Sequence, residues 1–152
     1  MQLRTPCTIL ILLAAAVAPA GAYSADEKVP DQQSIAALEA RIGQAPPRDQ
    51  CFLYAELIHQ MTELSVQQYA AGDVAKSTAM LRKIQQLAKK LHLSLADNNK
   101  RLKNTEILLR QATFRLREML HSSSYEDRPL VEQTLAQVNQ ADNDAMMQVF
   151  RK

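Results

Sequence analysis

Glycine is scarce, tryptophan is missing and strand signals are nearly absent: three Gly and no Trp occur among 152 residues. That scarcity excludes a fold of many short strands joined by tight glycine turns. No apolar run reaches the roughly 20 residues that a membrane-spanning helix needs. There is no glycine-rich phosphate loop, C-x-x-C pair, haem-attachment motif or G-x-S-x-G elbow, so the sequence gives no carrier for a recognisable catalytic chemistry or a resident cofactor. What is plentiful is Ala, Leu, Gln, Lys, Arg and Glu, whose side chains lose little freedom in a helix. The expected fold class is all-α.

The amino terminus has the three parts of a secretory signal. Arg4 supplies a positive start, Cys7 to Val17 is an apolar run, and Ala20-Gly21-Ala22 is an A-x-A cleavage site. The expected organisation is a signal peptide over 1–22, a disordered leader over 23–30 and a single helical domain over 31–152. The expected location is extracytoplasmic, periplasmic or secreted, with no transmembrane span after cleavage. Cleavage also removes Cys7 and leaves Cys51 as the one cysteine, so the mature chain has no internal disulfide. Cys51 falls in the first turn of a helix near Arg48, where dipole and cation favour a thiolate, and is a candidate reactive or intermolecular thiol. The competing reading is that it packs in line with Tyr54, Ala55 and Ile58 as a small hydrophobe.

Apolar spacing of three and four sets out the helices. Asp31 can cap a short helix carrying Ile35, Leu38 and Ile42 and stopping at Gly43, and Pro46-Pro47 then forces an extended link. A second helix runs from about Pro47 to Ala71, and Gly72-Asp73 both ends it and caps the next. From there one seam continues through Leu81, Ile84, Ala88, Leu91 and Leu95 to Leu102, Thr105, Leu109, Ala112, Leu116 and Met119, with Asn98 in the single gap. The unbroken phase predicts one helix from 73 to 121, about 73 Å long at about 1.5 Å per residue, with antiparallel hairpin partners over 47–71 and 128–150. So thin a rod would favour a homodimer. Asp97-Asn98-Asn99, three poor helix formers, offers the alternative of a turn and a compact four-helix bundle.

Charge is unevenly spread. Residues 73–121 hold 11 basic and 4 acidic side chains, and the rest of the mature chain is acidic on balance. Lys76, Arg82, Lys83, Lys89, Lys90, Lys100 and Arg101 form a candidate anion-binding face for an anionic polymer or a lipid surface. No aromatic residue interleaves with them, which argues against stacking on nucleic-acid bases. Two E-x-x-H pairs, Glu56 with His59 and Glu118 with His121, have the spacing of helical di-metal ligands. Both fall away from the apolar seams, and residues 74–96 contain no acid to complete such a set, so the expectation is solvated pairs and no metal.

Leu102-Lys103-Asn104-Thr105-Glu106-Ile107 and Glu126-Asp127-Arg128-Pro129 mark a stretch, from Cys51 to the end, that resembles small exported all-helical bacterial proteins of unknown function. The resemblance implies export and a helical fold and carries no activity. The expected function is therefore non-catalytic: protein-protein contact as an adaptor, chaperone-like factor or assembly component, with a protein partner not specified by the sequence. The alternative is binding of anionic envelope polymer or lipid headgroups through the basic face.

Overall fold

Five helices form in the places where caps and prolines allow them: α1 (Gln32–Gln44), α2 (Pro47–Ala70), α3 (Val74–Ser94), α4 (Leu102–Ser122) and α5 (Arg128–Phe150). They come from a computed structural model that describes residues 29–96 and 98–151. The expected signal peptide, the leader up to residue 28 and Asp97 lie outside the described residues.

Helix α1 starts at a capping box. The Asp31 carboxylate accepts the Ser34 N–H at 2.7 Å, and the Ser34 hydroxyl accepts the Asp31 N–H at 3.1 Å. The helix passes through Gly43 and stops at Ala45, where extended backbone leads into Pro46. Pro47 then occupies the first turn of α2, where a missing N–H costs nothing. At the far end of α2 the chain reverses through Gly72, whose φ of 84° is the left-handed conformation that glycine adopts without strain. Asp73 accepts the Lys76 N–H and opens α3. Below this turn the buried hydroxyls of Ser65 and Ser77 meet at 2.9 Å, and such small side chains let the two helices approach closely.

The arrangement is a four-helix bundle with α1 laid on its outside. Helices α2 and α3 pair as one antiparallel hairpin, and α4 and α5 pair as another. Across the bundle α2 lies beside α4 and α3 beside α5, whereas α3 and α4 stand on a diagonal and do not touch. Side-chain bonds give the directions: Arg115 to Glu63 and Gln85 to Thr134 join parallel neighbours. Leu57, Ile58 and Met61 of α2, Ile84 and Leu91 of α3, Leu109 and Leu116 of α4, and Val131 and Val138 of α5 are fully buried between them.

The continuous helix from 73 to 121 is therefore corrected to two helices, and the compact bundle is the architecture. Asn99 is the physical reason. It is buried, its amide donates to the Ser94 carbonyl at 2.9 Å, and its carbonyl accepts the Ala96 N–H at 3.0 Å, which satisfies backbone groups that the end of α3 leaves open. The Lys100 N–H donates to the Arg48 carbonyl at 3.0 Å, and Arg101 turns the chain with a left-handed φ of 58°. Asn98, which would fill the gap in a continuous seam, is exposed. The argument for a homodimer from a thin rod falls with the rod, because four helices enclose their own core.

Candidate functional site

Helix α2 touches α1, α3 and α4, so it buries more than the single face that its sequence marks. Phe52, Leu53, Leu57, Thr62 and Ser65 are buried in addition to the expected Cys51, Ala55, Ile58, Met61 and Leu64. Among the described residues α1 packs on α2 alone and leaves α4 uncovered, and a groove of about 920 Å³ opens between the start of α1 and the outer face of α4. Glu56, His59, Gln60 and Glu63 of α2 line it, facing Leu108, Gln111 and Phe114 of α4, with Val29 and Pro30 at its rim. Glu56 and His59 are thus half-buried groove residues and not the solvated pair that their position away from the apolar seam suggested. Glu118 and His121 are exposed. Among the described residues no group of three or more His, Cys, Asp or Glu side chains is placed to hold a metal ion.

A charge-assisted pair closes one side of the groove. The Arg115 Nε donates to both Glu63 carboxylate oxygens, at 2.9 and 3.0 Å, and its Nη1 reaches Glu118. Burial works against the guanidinium charge, but the two carboxylates outweigh it and raise its pKa. Arg110 bonds Glu106, which is buried beside it on the same helix. Phe114, one turn from Arg110 and beside Arg115, is 56% exposed, a large apolar ring over which no helix lies among the described residues.

The seven cations of the candidate anion-binding face separate into three groups. Lys76 belongs to the α3 cap, 2.7 Å from Asp73, and its amine holds the Asp73 carboxyl below the usual range. Arg101 lies over the Phe52 ring, 3.5 Å from its centroid, a cation–π contact that fixes the turn between α3 and α4. Lys100 is exposed on the same turn. Only Arg82, Lys83, Lys89 and Lys90 share one outward helix face, and none of them has a hydrogen bond or ion pair among the described residues.

Cys51 is fully buried beneath the turn at 95–101. Burial pushes its thiol pKa up, against hydrogen bonds with Asn99, Ser94 and Thr105. Burial and this shift both work against the thiolate that a reactive cysteine needs, and the side chain is out of contact with solvent. Sequence reasoning missed Asn99 and the groove: the first had a signal in the Asp97-Asn98-Asn99 triplet, and the second had none, since it depends on where α1 docks.

No family model matches the chain, and neither a curated protein nor a solved structure matches it. Among the described residues no helix is long and apolar enough to cross a membrane.

Proposed function

We propose that this is an exported, non-enzymatic binding module that works by contact with another protein, taking an amphipathic helix of that partner into the groove between α1 and α4. The observation that carries the reading is the outer face of α4, left uncovered among the described residues, where Phe114 stands over a slot floored by α2. A groove between two helices on a common floor suits a helix whose apolar side chains meet Phe114 and Leu108 and whose flanking charges meet Glu56 and Arg115. Export rests on the Arg4, Cys7 to Val17 and Ala20-Gly21-Ala22 pattern.

A photoreactive phenylalanine at position 114, introduced into the protein in its native envelope, tests this reading. A single defined adduct is expected from position 114 and none from Glu132 on α5, and Phe114→Asp should abolish partner binding without changing the melting temperature. Equal labelling from the two positions would overturn it.

A second reading is favoured by a separate observation. Among the described residues Arg82, Lys83, Lys89 and Lys90 are unpaired on one face of a helix that has no acidic residue, which supports attachment to an anionic surface.

A further inference from the structure

The end of the bundle where α3 and α5 finish differs from the rest of the surface. These two helices run parallel, and His92 of α3 meets Asp144 of α5 at 2.7 Å. One residue beyond His92, Leu93 is 83% exposed, and beyond Asp144 on α5 Met147 is 61% and Phe150 80% exposed. Met147 follows Gln140 and Asp144 at helical spacing, on the side of α5 that faces α3. Three large apolar side chains thus stand in water at one corner. Lys89 and Lys90 lie one turn before Leu93 on α3 and Arg151 follows Phe150, all exposed, and none is paired among the described residues.

We propose that this corner docks the protein on an anionic phospholipid surface, with Leu93, Met147 and Phe150 entering the headgroup region and Lys89, Lys90 and Arg151 contacting lipid phosphates. The inference rests on the second reading above and narrows it to one ligand. The choice of lipid over a soluble polyanion comes from the apolar side chains: a polymer of sugars or phosphates has no use for an exposed Leu, Met and Phe, whereas a bilayer interface takes up apolar groups and repels none of the cations. No helix needs to span the bilayer for this, and none of the described ones can. Asp144, the carboxylate that the described residues place beside His92, is already engaged by His92 and Gln140.

Co-sedimentation of the purified chain with vesicles of phosphatidylglycerol and phosphatidylcholine, compared with phosphatidylcholine alone, is the test, run at low and high salt beside a heparin column. Binding to the anionic vesicles only, weakened by salt, is expected. Lys89→Ala with Lys90→Ala should lower vesicle affinity about thirtyfold, from about 1 kcal/mol per cation near an anionic surface. Met147→Ser with Phe150→Ser should lower it at high salt, where the apolar contribution dominates. All four side chains are exposed, so unchanged circular dichroism confirms that each variant is folded. Heparin retention without vesicle binding would overturn the lipid inference and leave the anionic reading standing, while loss of both would overturn the two together. Vesicle binding indifferent to Met147→Ser with Phe150→Ser, or a dimer in solution that the same pair of changes abolishes, would also overturn it.

Discussion

Asn99 does the work of a helix cap from outside the helix. Asn99→Ala leaves the Ser94 carbonyl and the Ala96 N–H without their side-chain partners and opens a gap over Cys51, so a loss of about 1–3 kcal/mol is expected in urea unfolding. Asn98→Ala, on the exposed side of the same turn, should change stability by less than about 0.5 kcal/mol. The triplet was legible as poor helix; which asparagine turns inward was not, because that depends on the polar environment Ser94 and Ala96 present in three dimensions. Asp142 is a second residue whose setting no pattern reveals. Its Oδ1 is buried without a hydrogen bond among the described residues, and burial lifts its carboxyl above the usual range, with Arg110 only partly opposing. A raised value in the folded state means that Asp142 favours folding below the ordinary carboxylate pKa of about 4 and that this contribution is lost as pH rises through the raised value. Asp142→Asn should therefore stabilise the protein at neutral pH, by under about 1 kcal/mol for a carboxyl that is only partly buried, and be indistinguishable from the parent in acid. Thermal melts at the two pH values measure the difference.

At the scale of elements, the helices of the sequence and of the structure coincide closely except at 95–101. The seam through Leu81, Ile84, Ala88 and Leu91 is buried, and so is the one through Leu102, Thr105, Leu109, Ala112, Leu116 and Met119. Both face one core, so both must be apolar along one line, and a connection of two helical turns' worth of residues preserves the phase without being helical. Periodicity reports burial, and it is silent about what joins two buried stripes. Helix α1 shows the complementary limit. Its Ile35, Leu38 and Ile42 were legible as a core stripe, yet nothing in the sequence says that they meet α2 alone and so leave the groove beside α4. A helix held by one neighbour opens more easily than one held by two or three. Native-state hydrogen exchange should find the α1 amides exchanging through a local opening, well ahead of the buried middle of α2, whereas equal protection would mean that α1 unfolds only with the whole bundle.

On the scale of the whole molecule, the two hairpins share one core but are joined by a single crossing of the chain. Helices α2 and α3 are joined by Gly72-Asp73, α4 and α5 by 123–127, and the only covalent link between the hairpins is the crossing at 95–101. Tyr69 ties the far end, donating to Asp127 at 3.0 Å and accepting the Ser124 N–H at 2.8 Å. The candidate surfaces follow from this geometry: charge runs on α3 were readable as an exposed face, but the apolar corner was not, since it needs α3 and α5 to run side by side in the same direction. The crossing has one more consequence. Because the apolar phase is unbroken from Leu81 to Met119, straightening 95–101 into helix would keep every core residue on one side while carrying the second hairpin away from the first. Each hairpin would then present an open core to the matching hairpin of another copy, and two chains could exchange halves with the packing between hairpins restored and only the contacts of the crossing itself lost. The turn held by Asn99 is thus what keeps the chain from trading partners with itself, and Asn99→Ala should yield, at high concentration, a slowly reverting dimer of native helicity in light scattering.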